Sequence, residues 1–212
     1  MGKGLERYLR QSAIVDQEKL ASGRVLVAGV GGLGCFVALE LVTAGVGTVH
    51  VVDKDVVEIH NLNRQFLYRE SDVGEYKAGV AEIRLREINE DVEVRGFVAR
   101  WDEMDVNGYD IVFDCLDAWG EKDALARRRK GIMVTGSVGE DSGFVAVPVE
   151  RRIPAKKVRE ACSNCILGAR VGTIASIMAG EGIMELSGRK SPLRDRMLHV
   201  DFRGMGFTTL EL

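Results

Sequence analysis

Residues 28–34 read AGVGGLG, set between the apolar run RVLV (24–27) and the segment CFVALELV (35–42). An apolar run, a glycine turn and an apolar segment of helical period follow one another without a gap, which predicts strand, turn and helix. Gly29, Gly31 and Gly34 form a G-x-G-x-x-G pattern, with Gly32 as an extra glycine. Glycines in this pattern permit the tight turn, let backbone N–H groups approach a phosphate, and allow the helix to sit close on the strand. The helix that opens here points its partial positive end at the anion. Asp53 closes the next apolar run, and an acid at that place can accept hydrogen bonds from a ribose diol. NAD, FAD and ATP all satisfy these features.

Outward from the turn, apolar runs alternate with segments of helical period to the end of the chain. Strands are predicted at 24–30, 48–53, 92–99, 109–116, 132–138 and 143–150, and helices at 33–44, 77–89, 121–130 and 168–186. In the second helix, Val80, Ile83 and Ile88 are read as the buried face. The final stretch MLHVDFRGMGFTTLEL (197–212) reads as two short strands around Gly204 and Gly206. The fold class expected is α/β, with a Rossmann-like, mainly parallel sheet flanked by helices and a C-terminal antiparallel hairpin extension. One domain spans 1–212, with an N-terminal helical arm at 1–23, a nucleotide-binding core at 24–139 and a C-terminal elaboration at 140–212.

Composition narrows the function. The net charge of −3 gives no global footprint for nucleic acid or an anionic membrane, so neither is expected as a partner. No apolar run is long enough to span a bilayer and the first residues lack a signal-peptide core, so a cytoplasmic location is expected. Four cysteines, two of them within apolar runs, do not form a secreted disulfide framework.

The stretch after Asp53, KDVVEIHNLNRQFLYRESDVGEYK (54–77), is polar and carries Asn61, Arg64, Gln65 and Lys77 where a dehydrogenase would continue into another β–α unit. Together with RYLRQ (7–11), GVGGLG (29–34), VGEYK (73–77) and FDCLD (113–117), it resembles the ThiF/MoeB/HesA family, prokaryotic relatives of the ubiquitin-activating enzymes. The motifs occur in the family's order over nearly the whole chain. The resemblance implies an ATP-dependent adenylyltransferase that activates the C-terminal glycine of a ubiquitin-like sulfur-carrier protein of ThiS or MoaD type, ending in Gly-Gly. It further implies that Gly29, Gly31, Gly32, Gly34 and Asp53 bind the nucleotide and that Asn61 and Gln65 shape its pocket. Arg64 and Lys77 would engage the phosphates, and Asp117 would stand near Mg²⁺. Arg10 resembles an arginine that reaches into the partner's site in a homodimer. The residue chemistry agrees: a carboxylate nucleophile is already ionised near neutral pH, so cations and fixed donors are needed rather than a base. Taken singly, Arg64 and Lys77 also read as surface charges and Asp117 as the cap of the next helix.

Two features depart from the pattern. Cys162 and Cys165 stand where many members carry half of a four-cysteine zinc site, but no second C-x-x-C follows, so Zn²⁺, a disulfide and plain thiols all stay open. Cys35 and Cys115 are read as core residues, and no cysteine is placed to serve as a covalent acceptor. Three other functions compete with adenylation of a carrier: a tRNA-modifying dehydratase activating a small carboxylate, a nicotinamide or flavin oxidoreductase, and a non-catalytic nucleotide-binding partner subunit. Arg64 and Lys77 count against the oxidoreductase, and the phosphate-binding cations against the degenerate subunit.

Overall fold

A computed structural model describes residues 6–150, 153 and 166–212. The strands are β1 (Arg24–Ala28), β2 (Thr48–Val52), β3 (Glu93–Phe97), β4 (Ile111–Asp114), β5 (Ile132–Val138), β6 (Ser142–Ala146), β7 (Arg196–Asp201) and β8 (Gly206–Glu211). They form one eight-stranded sheet in the order β3-β2-β1-β4-β5-β6-β7-β8. Pairings from β3 to β5 are parallel, and those from β5 to β8 are antiparallel. The expected fold class is therefore found, with three antiparallel strands after the parallel set.

Five α-helices are described: α1 (Gln17–Ser22), α2 (Gly32–Ala44), α3 (Lys77–Ile88), α4 (Trp119–Arg128) and α5 (Gly168–Leu186). Both faces of the parallel strands are covered, as their unbroken apolar runs require. Val25 and Val27 of β1 enter the larger core with Leu41, Leu85, Ile174 and Met178. Leu26 and Ala28 enter a second core with Trp101, Val112, Leu125 and Met133. The chain reverses its direction of growth between β1 and β4, and open sheets of this kind bind ligands beyond the strand ends at that switch point.

Several sequence expectations shift. Val80 and Ile88 of α3 pack against the core as read, but Ile83 is exposed, and the fully buried apolar residues of the helix are Ala78, Ala81 and Leu85. Close approach explains the small residues: a Cβ on Gly96 of β3 would lie 2.0 Å from the Ala78 carbonyl oxygen. The strand expected at 143–150 ends at Ala146, just before Val147 turns to an isolated bridge with Arg194 and Pro148 withholds an N–H donor. In α5, Gly182 lies against Phe113, whose Cζ would be 2.1 Å from an added Cβ, so tight packing accounts for that glycine.

Candidate active site at the switch point

The turn after β1 has the geometry its glycines imply. Gly29 has φ +88°, a conformation that side chains rarely adopt. A Cβ on Gly34 would lie 1.9 Å from the Gly29 carbonyl oxygen, so only glycine lets the helix start fold back on the turn. Helix α2 opens from Gly31 with no side-chain cap, which leaves its first N–H groups aimed beyond the strand ends.

Asp53 follows β2 and closes on this turn. Its Oδ2 accepts from the Val30 N–H at 2.8 Å, and its Oδ1 accepts from the Asp55 N–H at 2.8 Å. Burial pushes the carboxyl above the usual carboxylate range, opposed by those two donors and by the Lys77 charge. The next segment reaches the same turn through Tyr68, whose hydroxyl donates to the Val30 carbonyl at 2.7 Å and lies 3.4 Å from the Lys77 carbonyl. Burial, with the charge of Asp53 among the smaller causes, raises the Tyr68 pKa, so the phenol stays neutral and donating. Nothing in the sequence reading had singled out Tyr68.

Asn61 and Gln65 are both buried. Asn61 Oδ1 accepts from the Glu58 N–H at 3.0 Å and so shapes its own loop. Gln65 Nε2 lies 3.7 Å from where a Gly31 Cβ would stand, and its Oε1 is buried without a hydrogen-bond partner. An orphaned acceptor beside the phosphate turn suits a ligand donor or an ordered water. The Arg64 stem lies across Gly32, with Cγ 3.7 Å from an added Cβ, and its guanidinium donates to the His60 carbonyl and Asn63 Oδ1, both at 2.9 Å. Lys77 opens α3 and is buried rather than a solvated surface charge. Its ammonium stands 3.8 Å from Asp55, which is itself exposed. Gly29, Gly31, Gly32, Gly34, Asp53, Gln65, Arg64 and Lys77 thus form one neighbourhood.

The segment that leads to Asp117 approaches Gly29 from the other side of the switch point. The carbonyl oxygen of Cys115, two residues earlier, is 3.1 Å from an added Gly29 Cβ. Asp117 itself is exposed and does not cap α4, whose N-cap is Ala118. Among the described residues no cluster of three or more His, Cys, Asp or Glu could hold a metal. Mg²⁺ bound with nucleotide needs only one or two carboxylates, the rest of its shell being phosphate oxygens and water. A single free carboxylate at this edge fits that donor set.

The two described cysteines, Cys35 and Cys115, play no such part. Cys35 is buried and its Sγ meets the Val30 carbonyl at 3.4 Å; burial pushes its thiol up to about 12. Burial likewise raises Cys115. Neither is a ready thiolate at neutral pH. Cys162 and Cys165 lie outside the described residues. The basic run 127–130 is spent partly on the fold: Arg128 donates to the Asp102 and Met104 carbonyls, and Arg129 to those of Gly131 and Pro148.

Arg10 is not gathered into this neighbourhood. Its arm is tied to the opposite end of α2, where Gln11 Nε2 donates to the Ala44 carbonyl at 2.8 Å and Tyr8 packs on Gly45. At about 1.5 Å per residue, α2 sets the arm on the order of 20 Å from the glycine turn of its own chain. No helix among the described residues is long and apolar enough to cross a membrane.

A glycine turn, a buried acid and two cations gather at the switch point of such a sheet, the arrangement expected of a nucleotide-binding α/β protein. The chain matches the ThiF family over residues 6–212 and belongs to it. It is 34% identical over 233 residues to the adenylyltransferase and sulfurtransferase MOCS3 of Drosophila grimshawi, covering 98% of this chain and 52% of that protein. It is 31% identical over 223 residues to the adenylyltransferase and sulfurtransferase uba4 of Aspergillus terreus, covering 93% and 46%. The chain therefore spans about half the length of these relatives. Among solved structures, PaaA superposes with a TM-score of 0.83 at 22% identity, covering 100% of this chain and 84% of PaaA. That likeness concerns the fold.

Proposed function

We propose that the chain is an ATP-dependent adenylyltransferase, one adenylation domain that activates the C-terminal glycine of a ubiquitin-like sulfur carrier of ThiS or MoaD type. The observation that carries this reading is the convergence of Asp53, Gln65, Arg64 and Lys77 on one glycine turn, with Asp117 across the switch point. Both relatives, MOCS3 and uba4, carry the name adenylyltransferase, which supports it.

In the reaction, a carboxylate oxygen of the carrier's last glycine attacks the α-phosphorus of ATP. A P–O bond forms as the bond between that phosphorus and the bridging oxygen breaks, and pyrophosphate leaves with the electron pair. The nucleophile is ionised at neutral pH, so no proton needs to move. Asp53 holds the ribose, and the turn N–H groups with the start of α2 hold phosphate. Arg64 and Lys77 place positive charge where the transferring group gains negative charge, Gln65 completes the wall, and Asn61 shapes the pocket by fixing the loop that carries Arg64 and Gln65. Bound Mg²⁺ would be held by Asp117 and would neutralise phosphate charge. Arg10, far from its own turn, serves the site of a second copy, which makes the active form a homodimer.

The test is ATP–pyrophosphate exchange with a carrier ending in Gly-Gly and with a version lacking those two residues. Exchange that needs the intact tail is expected. ATP binding without exchange on any carrier would overturn the reading. Exchange driven by a small carboxylate would replace it with the dehydratase-like alternative.

A further inference from the structure

A buried ionic cluster lies beneath the turn that carries Asp117. Asp114, the last residue of β4, is fully buried on the side of the sheet covered by α4. Its Oδ1 accepts from the Lys122 ammonium and from the Leu116 N–H, each at 3.2 Å, and its Oδ2 accepts from the Thr135 hydroxyl at 2.7 Å. Lys122 comes from the second turn of α4 and is 4% exposed. Its ammonium also donates to the Gly136 carbonyl at 2.9 Å and meets the Asp114 carbonyl at 3.4 Å.

The four residues between β4 and α4, 115–118, are tied at both ends. The Cys115 N–H donates to the Ala28 carbonyl at 3.0 Å, and the Leu116 N–H to the Asp114 carboxylate. On the other side, the Ala118 carbonyl accepts from Glu121 and Lys122, both at 3.1 Å. A buried ion pair is a weak source of stability, since apolar residues of the same volume often serve as well or better. What it provides that they would not is a fixed direction for each donor and acceptor. Here those directions set the path of residues 115–118.

We propose that Lys122 is a positioning residue for Asp117, acting through the Asp114 carboxylate and the Leu116 amide. The role of Asp117 in this inference rests on the adenylation reading, whereas the ordering of the turn does not. A carboxylate that faces an anionic substrate is useful only where its placement is narrow. Lys122 supplies that placement from behind the sheet, without touching the nucleotide.

The experiment compares the full chain with Lys122→Met, Lys122→Arg, Asp117→Ala and the double variant Lys122→Met/Asp117→Ala. Hydrogen exchange is read on a peptide spanning 114–120, and carrier-dependent pyrophosphate exchange is run alongside. In folded Lys122→Met, the amides of 116–118 should exchange roughly tenfold faster, and kcat should fall on the order of tenfold with KM for ATP within about twofold. Lys122→Arg should restore most of both. In the Asp117→Ala background, Lys122→Met should cost nothing further, because the two act through one group. If Lys122→Met does not fold, Thr135→Val, which loosens the same carboxylate without stranding the ammonium, should show the same changes at about a third of the size. Unchanged amide protection, or losses that multiply with Asp117→Ala, would overturn the proposal. A wild-type chain without carrier-dependent exchange would sink the adenylation reading instead, and amide protection would still decide whether Lys122 holds the turn.

Discussion

The two halves of the sheet answer to different constraints. From β3 to β5 the strands are parallel and packed on both faces, and backbone runs so close to backbone that added Cβ atoms at Gly34 and Gly96 would lie 1.9 and 2.0 Å from carbonyl oxygens. From β6 to β8 the strands are antiparallel and end in an exposed edge, where Phe207, Thr208 and Thr209 face solvent. Ion pairs also occur in that second half, including the exposed pair Arg196 with Glu211 across β7 and β8 and the partly buried pair Arg194 with Glu185. Every residue assigned a nucleotide contact lies in the first half. A site that must hold phosphate to within fractions of an ångström belongs where packing leaves the backbone no alternative.

The sharpest way to break this contrast is Gly34→Ala. The Gly29 carbonyl is backbone and cannot swing aside, so a loss of about 3 kcal/mol is expected in urea unfolding, together with loss of ATP binding. A variant as stable as the parent would show that the turn can relax.

Glu185→Gln probes the second half. Burial raises the Glu185 carboxyl, but the Arg194 bonds at 2.7 and 2.5 Å and the Ser191 N–H outweigh it, so its folded pKa lies below the ordinary value. An acid depressed in this way adds stability above its unfolded pKa and loses it as pH falls through the folded one. Near pH 7 the variant should be about 2 kcal/mol less stable, and the two stability curves should converge on acidification through the carboxylate range. A gap independent of pH would assign the effect to packing.

Smaller effects sharpen the comparison. An added Cβ at Gly180 in α5 meets nothing within 4 Å, so Gly180→Ala should stabilise by about 1 kcal/mol in thermal unfolding. On the free edge, Phe207→Ala should change stability by no more than about 0.5 kcal/mol, since that side chain is 60% exposed. A large loss there would mean that β8 is tied more firmly than its exposure indicates.

The sequence carried the first half well because glycine patterns report backbone geometry directly. The turn at 28–34, the acid at Asp53, the strand at 132–138 and the helix at 168–186 lie where they were read. What stayed hidden depended on partners distant in the chain. Ile83 looks like a core residue by period, but α3 approaches the sheet on alanines. Asp114 and Lys122 look like an acid and a helix-surface cation until Thr135 and Gly136 of β5 close around them. A charge inside the run IVFD was the available signal, because a buried acid demands a partner. Tyr68 gave no local cue, since its acceptor lies on β1's turn, 38 residues away.

The central claim is that the glycine turn holds ATP as a reactant whose α-phosphorus is attacked by a carboxylate. The most direct test labels the C-terminal carboxylate of a Gly-Gly carrier with ¹⁸O, supplies ATP, and releases the activated carrier with hydroxylamine. The account predicts one ¹⁸O in the AMP recovered and none in inorganic phosphate. Label in inorganic phosphate, or AMP without label, would contradict it.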